Sequence, residues 1–79
     1  MTRYYKIQYH KKDEHTDNWY DCLGHNQYDN KPEAYEALIY YIEQKLVVFM
    51  HTEVDQFRIV FVNEDPMFTT WRFNAESGR

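Results

Sequence analysis

Apolar and polar residues alternate with the spacing of a strand near the start of the chain. In residues 4–10, Tyr5, Ile7 and Tyr9 fall on one face, and mostly polar side chains fall on the other. This period of two predicts a half-buried strand. A wholly polar loop follows, and residues 19–23 then predict a second strand, antiparallel to the first. A further polar connection leads to a segment of different periodicity.

The segment 30–46 has the spacing of an amphipathic helix. At about 100° per residue, its apolar side chains fall on one arc and its acidic side chains on the other. The apolar arc holds Ala34, Tyr35, Ala37, Leu38, Ile39, Tyr41, Ile42 and Leu46. The other arc holds Glu33, Glu36, Tyr40, Glu43 and Gln44. Asn30 is a favourable N-cap, with Glu33 three residues later as in a capping box, so the pattern predicts a helix laid on a sheet.

The end of this helix is less sharply defined. No glycine or proline lies in 46–50, so the helix is expected to continue to about 48–50. A turn through 52–55 is expected to follow. Two adjacent valines and Phe49 also suit a short strand, which is the alternative for this segment.

The last third of the chain predicts a hairpin. Residues 57–62 contain a single charge, that of Arg58, and therefore predict a central strand. A turn cluster that includes Pro66 follows, because proline cannot donate a ladder hydrogen bond. Residues 68–73 alternate and are expected to pair back on the previous strand. From Asn74 onward the chain is expected to fray.

These elements predict one α+β domain of order β-β-α-β-β, with an antiparallel sheet of about four strands packed on one helix. The domain is expected to span 1–79, with an ordered core over about 3–73 and a frayed tail over 74–79. The composition agrees, since 8 Tyr, 5 Phe and 2 Trp supply a core in a chain of 79 residues. A single cysteine excludes an internal disulfide. With no export signal or membrane-spanning run, a cytoplasmic location is expected.

Residues that could carry out catalysis or hold a metal are few. Cys22 and His25 stand three apart, which could place a thiolate near a base. His10 and His15 flank the first loop and could join them around zinc, although only the Cys-x-x-His half has recognisable spacing. The favoured alternative is a small buried cysteine and ordinary solvent-facing histidines. With Ser77 in the tail and no glycine-rich phosphate loop, we expect no enzyme, no metal and no cofactor.

Charge is unevenly distributed along the chain, whose net charge is -4. Residues 1–12 carry only positive charges, and 13–36 carry acids with a single lysine. Bases and aromatics interleave near the start of the chain, at Arg3, Tyr4, Lys6, Lys11 and Lys12. A nucleic-acid-binding module using these residues is one alternative. It is less favoured because the net field repels a polyanion. Another is a homodimer formed by pairing of strand 4–10 or 68–73 across a two-fold axis.

The acidic surface is the leading candidate site. The helix stripe and the first loop supply the predicted partner-binding residues Glu33, Glu36, Tyr40, Glu43, Asp13, Glu14 and Asp17. Rows of carboxylates can imitate nucleic-acid phosphates and occupy a basic groove on another protein. Tyrosine within the stripe favours an interface, because tyrosine is enriched there. The alternative is a solvated face that keeps an aromatic-rich domain soluble.

The chain also resembles small phage-encoded accessory proteins. The resemblance rests on an opening Tyr-x-Ile-x-Tyr strand, an aromatic strand with Trp19, an Asn-x-x-Glu-Ala helix start at Asn30, and a closing Phe-Arg-Ile-Val strand. That class includes host-takeover factors and anti-CRISPR-like inhibitors, many of them acidic. The resemblance covers most of 4–62 as a pattern and supplies no functional residues. It implies a protein that blocks a host nucleic-acid-handling enzyme by covering its surface, in the host cytoplasm.

Overall fold

The computed structural model describes residues 3–22, 24, 26–43, 48–49, 52–63 and 69–75. Its elements in chain order are β1 (Tyr4–Lys11), β2 (Tyr20–Asp21), α1 (Lys31–Glu43), β3 (Val48–Phe49), β4 (Thr52–Val62) and β5 (Thr69–Asn74). The strands form a single antiparallel sheet. In it β1 pairs with β2 and β4, and β4 also pairs with β3 and β5. The predicted α+β architecture, with one helix on an antiparallel sheet, is confirmed.

The longest strand, β4, lies at the centre of the sheet. Ile59 pairs with Ile7 of β1 and with Trp71 of β5, so neighbouring strands line both edges of β4. The prediction of a central strand over 57–62 is confirmed. The strand begins earlier than predicted, at Thr52.

One face of the sheet packs against α1 and holds the core. Side chains from the three longest strands and the helix meet there, and the largest fully buried ones are Phe57, Ile7, Leu38 and Ile59. The predicted apolar arc of the helix faces this core through Ala34, Ala37, Leu38, Ile39, Tyr41 and Ile42. Tyr35 is the exception, since it is 38% exposed. Leu46 lies outside the described residues.

The start of α1 follows the predicted capping pattern. The Glu33 backbone N–H donates to Asn30 Oδ1 over 2.9 Å, which satisfies one of the N–H groups left without a partner at a helix start. Pro32 lies in the first turn, where its missing N–H costs nothing.

The far end of the helix differs from the prediction. Val48–Phe49 forms β3, which pairs with Thr52 and Glu53 at the start of β4. The predicted continuation of the helix is therefore wrong at 48–49, where the strand alternative is confirmed, and the predicted turn through 52–55 is wrong. Met50 lies outside the described residues. The β-propensity of the valine and phenylalanine prevails because a partner strand begins three residues after Phe49.

The outer edge of β1 is covered by several short pieces rather than one long strand. Of the predicted strand 19–23, Leu23 lies outside the described residues, and among the other four Tyr20–Asp21 forms a strand. Beyond it, the Asn26 side chain pairs with Ile7, and Tyr5 exchanges two backbone hydrogen bonds of 2.8 Å with Tyr28. Both edges of β1 are thus occupied. Pairing of this strand between two copies, one of the dimer alternatives, is therefore not available.

The chain stays ordered past the predicted start of the tail. Asn74 ends β5, and Ala75 is buried, with its N–H donating to the Asp55 carbonyl oxygen over 3.0 Å. The predicted fraying is wrong for these two residues. Among the described segments, no helix combines the length and apolar character needed to cross a membrane.

Candidate functional site

The four predicted helix residues lie on the solvent side of α1. Glu33, Glu36, Tyr40 and Glu43 are all exposed, and Tyr40 has 56% of its surface accessible. None of the three glutamates forms an ion pair with another described residue. The helix therefore presents three uncompensated carboxylates around one exposed ring.

The predicted loop acids lie elsewhere and differ from one another. Asp13 and Asp17 are exposed, whereas Glu14 accepts hydrogen bonds from the Tyr20 hydroxyl at 2.8 Å to each carboxylate oxygen. Thr16 and Asn18 donate to the same carboxylate. These bonds, that of Tyr20 first, lower the pKa of Glu14. Glu14 therefore organises the loop.

His10 holds this loop to the sheet face opposite α1. Its Nδ1 lies 2.8 Å from Asp55 Oδ1 and its Nε2 lies 2.8 Å from the Thr16 carbonyl oxygen. Asp55 reaches the ring because the β1–β4 register shifts beside His10. Both partners are acceptors, so the doubly protonated imidazolium satisfies both. The hydrogen bond to Asp55, then that to Thr16, raises the pKa of His10. Because the loop is anchored here, Asp13 and Asp17 are not brought onto the helix stripe.

We expect the stability of the domain to depend on His10 as a function of pH. Because the folded-state pKa is raised above the unfolded value of about 6.5, the stabilisation is fully present below that value. It is lost as pH rises through the folded pKa. Urea denaturation of wild type and His10→Gln should give a difference in unfolding free energy that is largest below about pH 6.5 and shrinks as the pH rises through the folded pKa of His10. Gln27→Ala, which changes an exposed side chain, should leave the unfolding free energy nearly unchanged. A difference independent of pH would contradict the stabilising role of the protonated His10 ring between Asp55 and Thr16.

The cysteine and histidine chemistry, which the sequence analysis raised but did not favour, has little geometric support. Cys22 is buried, and its burial raises the pKa of the thiol to about 12, so the reactive thiolate is scarce at neutral pH. It borders a polar cavity of about 240 Å³. His25 lies outside the described residues. Within the described ranges, no three His, Cys, Asp or Glu side chains lie close enough together to hold a metal ion.

A basic surface lies on the side of the sheet opposite α1, and the sequence did not predict it. Alternation places Tyr4, Lys6 and Gln8 of β1 on this side, because Tyr5, Ile7 and Tyr9 belong to the core layer. The residues that form this open sheet face are Tyr4, Lys6, Gln8, Trp19, Arg58, Val60, Val62, Thr70 and Arg72. Part of it is a cavity of about 360 Å³, whose lining includes Lys6, Arg58 and Thr70.

Two arginines on the open sheet face lie directly opposite each other. Arg58 of β4 pairs in register with Arg72 of β5, and their guanidinium carbons lie 4.5 and 5.5 Å from the centroid of the Trp19 ring. Burial, and then the charge of Arg72, lowers the pKa of Arg58. Like charges directly opposite in a sheet are destabilising. The folded protein therefore holds two like charges close together here, which lowers its stability.

The carboxylate of Asp21 at this face is already engaged. Asp21 Oδ1 lies 3.1 Å from Lys6 Nζ and accepts a 2.7 Å hydrogen bond from Gln8 Nε2. Burial alone would raise the pKa of Asp21, but the bonds from Gln8 and Lys6 lower it overall. Gln8 in turn accepts a 2.8 Å bond from Arg58 Nε. The negative charge of Asp21 thus compensates the charge of Lys6 more than it compensates the charges of Arg58 and Arg72.

The structure places the residues of the nucleic-acid-binding alternative on different parts of the surface. Only Tyr4 and Lys6 belong to the open sheet face. Lys12 pairs with Glu53 over 3.5 Å, and Lys11 lies over the Tyr20 ring at 4.4 Å from its centroid. Arg3 is exposed just before β1. The signal that could have revealed the arginine pair is Arg58, the sole charge in the apolar segment 57–62, but its partner depends on a register that sequence does not fix.

No protein-family model matches the chain, and neither a curated protein nor a solved structure shows significant similarity to it. The resemblance to phage accessory proteins therefore stays a prediction. Both candidate surfaces, the acidic helix stripe and the open sheet face, rest on the geometry of this chain alone.

Proposed function

We propose that this chain is a non-enzymatic protein-binding domain that presents the outer side of α1 to a basic surface of a partner protein. The observation that carries the proposal is the exposure of Glu33, Glu36 and Glu43 along one side of the helix, with no cation paired to them in the described structure. The resemblance stated above adds a finer proposal. The finer proposal is that the chain is a phage-type inhibitor that acts in the host cytoplasm on a nucleic-acid-handling protein.

Electrostatics favours a cationic partner for this helix side. Glu33 and Glu43 are ten residues apart, which places them about 15 Å from each other along the axis. Each pair of neighbouring like charges on a helix, such as Glu33 and Glu36, lowers the stability of the helix by about 0.2–0.5 kcal/mol. A basic partner would remove that repulsion and would approach faster through long-range attraction.

Exposed rings supply the apolar contact that charge alone lacks. Tyr40 lies within the acidic stripe, and Tyr35 is partly exposed beside it with its ring 5.3 Å from that of Phe73. Tyr35 and Phe73 also line a shallow, mainly apolar cavity of about 420 Å³. Interfaces commonly combine buried aromatic anchors with a charged rim, and this side of the domain offers both.

Charge neutralisation on α1 tests the proposal. The variant Glu33→Gln/Glu36→Gln/Glu43→Gln should lose a partner that wild type captures from host lysate. With the purified partner, it should weaken binding by at least about tenfold, a loss of about 1.4 kcal/mol, and flatten the salt dependence. Adding Tyr40→Ala should weaken binding further. The matched control Asp13→Asn/Asp17→Asn/Asp29→Asn removes the same charge from exposed positions outside the stripe and should retain the partner. Equal capture by both triple variants would refute this interface.

A further inference from the structure

The opposed arginine pair on the open sheet face indicates a second binding surface. Arg58 and Arg72 repel each other across β4 and β5, and the neighbouring carboxylate of Asp21 is engaged by Lys6 and Gln8. A bound anion would relieve this repulsion and could accept hydrogen bonds from both guanidinium groups. We propose that the open sheet face binds single-stranded nucleic acid, with Lys6, Arg58 and Arg72 contacting phosphates.

The types of cation present suit phosphate. Guanidinium groups donate in a planar fork that matches the oxygens of a phosphate, and they are more weakly hydrated than ammonium groups. The Trp19 ring lies near both guanidinium carbons, which orients the two forks before any ligand arrives. Less side-chain freedom is then lost on binding.

Apolar and aromatic surface lies next to these cations and suits the bases. Val62, which is partly exposed, lines the same cavity as Lys6 and Arg58. Tyr4 lies beside Lys6 on this face and is half-buried. A groove that combines cations for the backbone with rings for the bases is typical of proteins that bind single strands.

The dimensions favour one strand over a duplex. Neighbouring strands lie about 4.8 Å apart, so the face from β1 across β4 to β5 is about 10 Å wide. Duplex readers usually insert a helix or a two-stranded ribbon into the major groove. The helix here lies behind the sheet, and its exposed side is acidic, so it would repel duplex phosphates.

The two layers of the domain therefore differ in charge. The outer side of α1 carries Glu33, Glu36 and Glu43, whereas the open sheet face carries the cations Lys6, Arg58 and Arg72. Acids also lie at this face, since Asp21 pairs with Lys6 and His10 holds the acidic first loop beside it. This proposal concerns a different layer from the acidic helix stripe and does not depend on it.

Fluorescence anisotropy with labelled single-stranded oligo(dT) and oligo(U) of about 20 nucleotides tests the proposal. Wild type should bind at about 50 mM salt and weaken steeply by about 200 mM. The variant Arg58→Gln/Arg72→Gln should bind at least about tenfold more weakly, and its slope of log affinity against log salt should be smaller by about 1.4, or about 0.7 per lost phosphate contact. The control Lys12→Gln/Lys31→Gln removes two charges from outside the face and should stay within about twofold.

Thermal melting followed by circular dichroism separates lost binding from lost folding. Should the double variant fail to fold, exposed Arg72→Gln alone should give half the change in slope. The Glu33→Gln/Glu36→Gln/Glu43→Gln variant should keep its affinity for the oligonucleotide, which makes the two proposals separable. Four results would each overturn the inference. These are no binding at low salt, unchanged binding by the arginine variants, equal affinity for a duplex of the same length, and self-association through this face in place of oligonucleotide binding.

Discussion

Replacing Phe57 with alanine is expected to destabilise the domain by about 3–5 kcal/mol, because the side chain is fully buried. Phe57 sits in central β4, pairs with Tyr9 and Phe73, and stacks on Tyr41 of α1 with ring centroids 6.4 Å apart. Truncation would leave a cavity at the point where three strands and the helix meet. A chain of 79 residues is expected to have only about 4–12 kcal/mol of total stability. The loss is therefore a large share of the total, and the urea midpoint should fall by at least about a quarter.

Urea denaturation followed by circular dichroism and tryptophan fluorescence would measure this effect. Tyr40→Ala is the matched control, because it removes a comparable ring from a position that is 56% exposed. It should change the free energy of unfolding by no more than about 0.5 kcal/mol. Similar midpoints for the two variants would mean that Phe57 is not the centre of the core.

The elements that sequence predicts well are those specified by local pattern. The spacing of Ala34 and Leu38 places both on the buried side of α1. Asn30 caps the helix, as its position before the first turn predicts. The short strand Val48–Phe49 was predicted as helix because the local signal there was ambiguous. Its outcome depends on pairing with Thr52 and Glu53, and periodicity does not reveal which strands pair.

The same distinction separates the two candidate surfaces. Glu33, Glu36 and Glu43 share a helix side through spacing alone, so the acidic stripe could be predicted from sequence. The open sheet face gathers Arg58 and Arg72 from strands whose register had to be known first. The hydrogen bonds of Glu14 likewise depend on three donors, Thr16, Asn18 and Tyr20, that only the folded loop and β2 bring to its carboxylate.

The Asn26 side chain substitutes for a missing stretch of strand beside β1. Ile7 N–H donates to Asn26 Oδ1 over 2.8 Å, and Asn26 Nδ2 donates to the Ile7 carbonyl oxygen over 2.9 Å. The amide thus supplies the acceptor for the Ile7 N–H and a second donor to the Ile7 carbonyl oxygen, which also accepts from the Cys22 N–H. A polar connecting segment in the sequence gave no sign of this role.

Asn26→Ala is therefore expected to destabilise the domain by about 1–3 kcal/mol, because it removes both bonds and leaves the Ile7 N–H without an acceptor. The Ile7 carbonyl still accepts from the Cys22 N–H over 3.1 Å, so the unpaired donor accounts for most of the loss. Urea denaturation gives the total, and hydrogen exchange at the Ile7 amide should show reduced protection. Gln27→Ala changes an exposed neighbour in the same segment and should leave both measurements nearly unchanged. Full protection of the Ile7 amide in Asn26→Ala would show that another group closes this edge of the sheet.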